Sequence, residues 1–372
     1  MRKSSPPLML TEVSEPVRVL GAIAVSFLVT AGVTPSVRRL AIRTSFYDEP
    51  TGYKQHDAPT PYLGGTALMA GFLAAVALMG TGLSDFETLL AGALALWAVG
   101  TIDDRIRLGI TPRLAVQLGA AVFLWAEGIG WGLFASDAAN LVLSVFWTVG
   151  LINAFNLMDN LDGAAGTVGA TCALGAGALA LAQNNTPLAV LAFALAGACA
   201  GFLPWNLANP ARIFLGDGGS MPLGFLVAGI VMAIPDGSVG WVALFALAPM
   251  AGLPILDTTL VVVSRLRRRV PVLSGGRDHL THRLLALFGT PRRVAAVLAG
   301  TQALFCGLGI LLEEVRDPDV VLPFAIVYVL AGLAIVFVLE FTPAMRAREP
   351  GWTGEPAAEH AGWAASGVGG PG

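Results

Sequence analysis

The chain has 372 residues, of which 55% are hydrophobic and only 13% charged, with a mean hydropathy of +0.72. Soluble domains carry nearer a quarter of charged residues, so this composition marks an integral membrane protein. A formal net charge of −3 excludes a basic nucleic-acid-binding chain, and three cysteines (Cys172, Cys199 and Cys306), each alone inside a hydrophobic run, exclude a disulfide framework or zinc-finger spacing.

Taken in chain order, a polar leader (residues 1–16) precedes the first apolar run, 17–36. That run lacks an Ala-x-Ala cleavage site and ends in Arg38 and Arg39, so it is expected to be a retained span rather than a signal peptide. Further apolar runs follow at 63–80, 88–101, 114–129, 139–155, 164–182, 187–205, 221–234, 239–263, 294–312 and 320–341. A bilayer core of about 30 Å needs roughly 20 residues of helix, and 88–101 and 221–234 are the shortest of the set. The expected fold is all-α: a polytopic membrane domain of eleven transmembrane helices over 17–341. Residues 342–372, rich in Gly, Ala and Pro from Pro350 onward, are expected to form a disordered tail.

Basic residues orient the spans. All but four of the 22 Lys and Arg (Arg2, Lys3, Arg18 and Arg316) fall in loops on one side of this eleven-span plan. The plan therefore puts the N-terminus outside and the C-terminus in the cytoplasm. Four polar clusters share the basic side: Thr-Ile-Asp-Asp-Arg at the end of the third run, Asn-Ala-Phe-Asn-Leu-Met-Asp-Asn-Leu-Asp-Gly at the end of the fifth, Gly-Asp-Gly-Gly-Ser before the eighth, and Gly-Gly-Arg-Asp-His-Leu-Thr-His-Arg-Leu after the ninth. Solvated loops would have no such side preference, so the clusters point to one site.

Asp103 and Asp104 are adjacent and point about 100° apart on a helix, so they serve one ligand in different ways. Asp159 and Asp162 are three apart, as are Asn153 and Asn156, which makes a stripe of oxygen and amide groups if the helix continues that far. Such groups suit Mg2+ or Mn2+; interhelical hydrogen bonding competes as a role for the asparagines. Gly-Asp-Gly-Gly-Ser is a turn before a helix, whose N–H groups cradle an anion. Asp217 beside it would repel a phosphate unless a divalent metal bridged them. No P-loop signature is present. His279 and His282 have helical metal-ligand spacing but no third ligand nearby, so with Arg277 and Arg283 they fit a cationic phosphate patch better. The arginines from Arg265 to Arg269 read as a topology signal facing anionic lipid heads.

These motifs, together with Lys-Gln-His…Pro-Tyr-Leu-Gly-Gly (Lys54 to Gly65), Pro-Ala-Arg before Ile213 and Pro-Ile-Leu-Asp-Thr (Pro254 to Thr258), resemble the polyprenyl-phosphate N-acetylhexosamine-1-phosphate transferases. That family starts bacterial envelope polysaccharides and is related to the peptidoglycan translocase. The resemblance runs from about Asp48 to Arg293. It implies transfer of a sugar-1-phosphate from a UDP-N-acetylhexosamine to a polyprenyl phosphate, releasing UMP, with Mg2+ (or Mn2+) as cofactor. It also implies a site at the cytoplasmic face of a bacterial inner membrane, in contact with membrane lipid; a homodimer is allowed for.

By resemblance, Asp217 is the main Mg2+ ligand with Asn156 beside it, and Asp103 or Asp104 deprotonates the lipid phosphate. Asn156, Asp159 and Asp162 form the nucleotide ladder. Lys54 lies near the nucleotide, and His279 and His282 near the diphosphate and sugar. His56, Asn153, Arg277 and Arg283 join the substrate-binding set. Two departures stand out. The family's His-x-His-His is here His279-Leu280-Thr281-His282, which bears on the sugar. The stretch before Gly-Asp-Gly-Gly-Ser is one residue longer than in the family, which leaves Asn206 and Asn209 as alternatives for the family's asparagine. UDP-GlcNAc is expected over UDP-MurNAc-pentapeptide.

Two other functions fit part of the pattern. Asp159-x-x-Asp162 is the kind of motif a UbiA-type prenyltransferase uses, but no second one lies on a matching helix. A secondary transporter uses buried carboxylates, but near the midplane and in related halves rather than on one face.

Overall fold

The computed structural model describes residues 14–48, 60–80, 83–234, 240–272 and 276–342. Lys54 and His56 lie outside the described residues, as do most of the leader and the tail. Within them the chain is helical apart from one short antiparallel pair, β1 (Tyr47–Asp48) with β2 (Thr60–Pro61). The helices are α1 (Glu15–Arg43), α2 (Gly64–Met79), α3 (Glu87–Ile106), α4 (Ile110–Ala126), α5 (Asp137–Met158), α6 (Ala164–Ala182), α7 (Thr186–Asn206), α8 (Asp217–Ala233), α9 (Trp241–Leu247), α10 (Gly252–Arg268), α11 (Leu280–Phe288), α12 (Pro291–Val315) and α13 (Pro318–Phe341).

Each predicted apolar run is helical over most of its described residues. Among the described residues, seven segments are long and apolar enough to cross a membrane: α1, α5, α6, α7, α9 with α10, α12 and α13. Helices α2, α4 and α8 are apolar but shorter, and α3 carries Asp103 and Asp104 within its last turn. The chain is thus a multi-pass membrane protein.

Helices α6, α7 and α8 form the buried interior, and α13 turns most of its surface outward. Small residues make the inner crossings close, because hydrocarbon gives helices no hydrophobic drive to associate and van der Waals contact must hold them. Where α7 crosses α1, a Cβ on Gly197 or on Gly201 would lie 2.4 Å from the carbonyl oxygen of Ile23 or Phe27.

The ninth apolar run is not one continuous helix. It breaks at a 3-10 turn, Ala248–Ala251, where Pro249 supplies no N–H. Backbone groups freed at membrane depth need a partner within the protein. Gln302 of α12, fully buried, provides it: its Nε2 donates to the carbonyls of Pro249 (3.2 Å) and Met250 (2.9 Å), and its Oε1 accepts from Leu253 N (3.1 Å).

Candidate active site

The four polar clusters do meet at one end of the bundle. Helix α3 brings Asp103 and Asp104 in its last turn, α5 ends just before Asp159, and α8 begins at Asp217. The two adjacent aspartates diverge. Asp104 turns to α8, where its Oδ1 accepts from Asp217 N at 2.9 Å and its Oδ2 from Gly218 N at 3.1 Å. The anion in the Gly-Asp-Gly-Gly-Ser nest is therefore this chain's own carboxylate, not the phosphate expected from the sequence. A carboxylate is the favoured occupant of a helix N-terminus. Gly216 makes the fit possible: its φ is +74°, and a Cβ there would lie 2.5 Å from Asp104 Oδ2.

Asp103, nearly buried, turns the other way. Its Oδ2 accepts from Arg113 Nη1 at 2.9 Å, and the same nitrogen donates to Asp217 Oδ2 at 3.1 Å. Asp217 Oδ1 accepts from Asn156 Nδ2 at 2.7 Å, and that amide also donates to Ser220 Oγ at 3.0 Å. Asp159 Oδ2 accepts from Gly216 N at 3.2 Å. Carboxylates from three segments thus crowd one spot. Burial first, and then the Asp103 carboxyl beside it, pushes Asp217 up to about 7. Burial, then Asp217, Asp104 and Asp162, hold Asp159 well above the usual carboxylate range.

The expected stripe along α5 is only partly formed. The helix ends at Met158, so Asp159 and Asp162 lie in the turn before α6 and not on a helical face. Asn160 Nδ2 donates to Leu157 O (2.5 Å), and Gly163 takes φ +79° to start α6. Asn206 locks this turn: its Oδ1 accepts from Gly163 N (2.7 Å) and its Nδ2 donates to Ile213 O (3.1 Å). Of the two asparagines left open by the sequence, the buried Asn206 joins the site's two loops; Asn209 is exposed. Asn153 does not reach the acids. It donates to Gln117 Oε1 of α4 at 2.7 Å, an interhelical bond.

The histidine segment reaches the same place by a different route. Thr281, at the position of the family's middle histidine, donates through Oγ1 to Asn160 Oδ1 at 2.5 Å, which ties α11 to the Asp159–Asp162 turn. His279 is buried, with Nδ1 2.9 Å from Asp257 Oδ2 of α10. His282, also buried, is pushed down to about 4 by burial first and then by His279 and Arg277. His282 is therefore neutral at pH 7, which corrects the all-cationic patch.

The arginines need correcting too. Arg283 is buried and paired with Glu340 Oε2 of α13 at 2.7 Å, so it serves packing rather than a ligand. In the run after Ser264, Arg265 grips Asp278 with two nitrogens (3.1 and 3.2 Å), Arg268 adds a third contact at 2.6 Å, and Arg267 Nε reaches Glu340 Oε1 at 2.5 Å. Burial would raise the Asp278 carboxyl, but the Arg265 guanidinium more than offsets that and holds it below its usual value. These arginines fasten α10, α11 and α13 together. Arg269, at the helix C-cap, is exposed.

Sequence reasoning missed Arg113, counted only as a topology charge, and Ser220, Asn160 and Asp257, which stand inside the quoted motifs. Arg113 gave no local signal, because it comes from α4 while the acids it bridges belong to α3 and α8.

Among the described residues no three His, Cys, Asp or Glu side chains are grouped so as to hold a metal alone. The donor set nevertheless fits Mg2+, which takes one or two carboxylates and leaves the rest to water and substrate phosphates. Asp217 lies in an excess of buried negative charge that a divalent cation would relieve, and Asp103 Oδ1 is buried without a hydrogen-bond partner.

Comparison with known proteins gives a consistent answer. Residues 86–234 match the model of glycosyl transferase family 4. The chain is 32% identical to the decaprenyl-phosphate N-acetylglucosaminephosphotransferase of Mycobacterium tuberculosis (strain ATCC 25618 / H37Rv), over 76% of this chain and 80% of that protein. It is 30% identical to a protein of Bacillus subtilis (strain 168) described as "Probable undecaprenyl-phosphate N-acetylglucosaminyl 1-phosphate transferase", over 76% and 81%. It is 25% identical to the undecaprenyl-phosphate alpha-N-acetylglucosaminyl 1-phosphate transferase of Escherichia coli (strain K12), over 77% and 82%.

Proposed function

The chain belongs to the polyprenyl-phosphate N-acetylglucosamine-1-phosphate transferases of glycosyl transferase family 4, and on that premise we propose its reaction in full. It transfers N-acetylhexosamine-1-phosphate, GlcNAc-1-phosphate first among the candidates, from a UDP-sugar to a polyprenyl phosphate. The products are polyprenyl-diphospho-sugar and UMP, and the step initiates an envelope polysaccharide. Family membership sets aside the prenyltransferase and transporter readings.

The observation that carries this proposal is the convergence of Asp103, Asp217 and Asn156 on one spot, with Arg113 spanning the two acids. Phosphoryl transfer asks a protein for position and charge neutralisation more than for covalent chemistry. Asp217 and Asn156 would hold Mg2+, which when bound supplies charge neutralisation to a diphosphate. Both oxygens of Asp104 are engaged by the start of α8, so its role is to hold that helix and Asp217 in place. Asp103 Oδ1, unpartnered, is left to take the proton of the lipid phosphate. Arg113 adds positive charge beside both acids, and Arg277 is proposed to meet the substrate phosphates. Asp159 and Asp162 flank the same turn and are proposed for the nucleotide, with Lys54 and His56 as further nucleotide-side groups.

The plan of eleven crossings, N-terminus outside and the site on the cytoplasmic face of the inner membrane, belongs to the same proposal. A reporter fused after Arg269 then reads cytoplasmic and one near Asp317 periplasmic; like readings would refute the plan. For the reaction, the purified chain is incubated with polyprenyl phosphate, Mg2+ and a panel of UDP-sugars. UMP and a lipid-linked GlcNAc are expected. Turnover of UDP-MurNAc-pentapeptide with none of UDP-GlcNAc would overturn the sugar assignment.

A further inference from the structure

Asp257 has no part in the scheme so far, yet it is fully buried beside the histidine segment, with no exposed surface. A carboxylate in that position must be matched oxygen by oxygen. Its Oδ1 accepts from Leu280 N at 2.6 Å, and its Oδ2 meets His279 Nδ1 at 2.9 Å. Leu280 is the first residue of α11, and the helix-preceding residue, His279, makes no side-chain cap of its own. The first oxygen therefore caps a helix from a different part of the chain. The second fixes a ring.

We propose that Asp257 is a positioning residue for the transfer: it holds His279 with its proton on Nδ1 and leaves the Nε2 lone pair as the one presented to substrate. This rests on the reading of the chain as a sugar-1-phosphate transferase. A carboxylate can only accept, so the ring nitrogen facing it must carry the proton. Should Nε2 take up a second proton, the buried carboxylate stabilises the resulting imidazolium, as an orienting acid does beside a catalytic base. The segment that carries the ring is also joined to the acid cluster. Two residues on, Thr281 is bound to Asn160, and the neighbouring Asp159 is bound to Gly216, next to Asp217. His279 is thus tied through two hydrogen bonds to the loop bearing the proposed metal ligand.

Asp257→Asn separates the two jobs. Leu280 N–H requires an oxygen, so the Asn Oδ1 stays on the helix cap and its NH2 is turned toward His279. The ring nitrogen facing that NH2 must then accept, and the proton moves to Nε2. The chain has four histidines, so 15N-histidine NMR of the full-length protein in nanodiscs is tractable, with His279→Gln assigning the signal. Expected in the unsubstituted protein is a His279 protonated at Nδ1; in Asp257→Asn, one protonated at Nε2. With that shift kcat falls at least a hundredfold, while KM for both substrates stays within about threefold and thermal stability is kept. Adding Asp257→Asn to His279→Gln costs nothing further, because the acid acts through the ring. An unchanged tautomer in Asp257→Asn, unchanged kcat, or a full additional loss in the double variant would each overturn the proposal. Absence of any product from UDP-GlcNAc in the unsubstituted protein would instead strike the proposed reaction, and the tautomer would still decide whether the dyad exists.

Discussion

Replacing Asp217 by Asn tests the proposed chemistry most directly. The carboxylate now accepts two hydrogen bonds, from Asn156 Nδ2 at 2.7 Å and from Arg113 Nη1 at 3.1 Å. An asparagine has one oxygen to offer, so one of these donors meets an NH2 instead. That loss is a charge-assisted contact of about 1.5–3 kcal/mol at most. It is offset in the fold because the substitution removes a buried charge, whose burial first and the Asp103 carboxyl second push this carboxyl up to about 7. The start of α8 is held by Asp104, which the substitution leaves in place. The folded protein should therefore be retained with little change in melting temperature. Catalysis should not be retained. If Asp217 holds Mg2+ against the diphosphate, its charge is what binds the metal, and losing metal stabilisation of the transition state removes several kcal/mol. At about 1.36 kcal/mol per factor of ten, turnover falls at least about a hundredfold. The assay is UMP release against Mg2+ concentration, with unfolding followed in parallel. Near-normal turnover with an unchanged Mg2+ requirement would refute the reasoning, and the site would be redrawn around Asp103, Asp104 and Asp159.

Glu340→Gln should destabilise the protein by roughly 3–5 kcal/mol, because the buried Arg283 and its neighbour Arg267 both lose their counter-charge; unfolding in detergent that matches the unsubstituted protein would show the pairs to be incidental. Gln302→Leu should cost about 2–3 kcal/mol in the same measurement, since it strands Leu253 N and the Met250 carbonyl at the break before α10; no change would mean that water or relaxation satisfies them. The third concerns pH. His282 falls to about 4 in the fold, below its usual 6.5, so for this residue the unfolded chain binds the extra proton between those values and its contribution to stability rises with pH there, against the opposite contribution of the raised Asp217 and Asp159 carboxyls. The contribution is complete above about pH 6.5 and lost as pH drops toward 4, to a total of about 3 kcal/mol. His282→Gln should remove this rising component, so that stability falls more steeply with pH in the variant than in the unsubstituted protein. The Asp278 contribution has the opposite origin, a carboxyl held low by Arg265, and is lost only below the ordinary carboxylate range. A stability profile between pH 4 and 6.5 that His282→Gln leaves unchanged would refute the assignment.

The sequence by itself determined where the helices are and which ends of them matter. Hydrophobic run length and period are local properties, so all the apolar runs were legible, and the one misjudged as continuous contained Pro249. The polar clusters were legible for the same reason: groups that are costly in hydrocarbon stand out against it. Tertiary structure alone decided how those clusters are wired. Nothing local shows that Asp104 would be consumed as the cap of α8, that Asn153 would turn to Gln117, or that Arg283 would be spent on Glu340, 57 residues away. Charge on a loop says only that an arginine is present; which acid it meets depends on helices that cross far apart in sequence. The same holds for the contacts that assemble the site. Arg113 reaches Asp217 across 104 residues and Thr281 reaches Asn160 across 121. Such pairings are fixed by the packing of α4 and α11 against the inner helices, a long-range outcome that no spacing along the chain encodes.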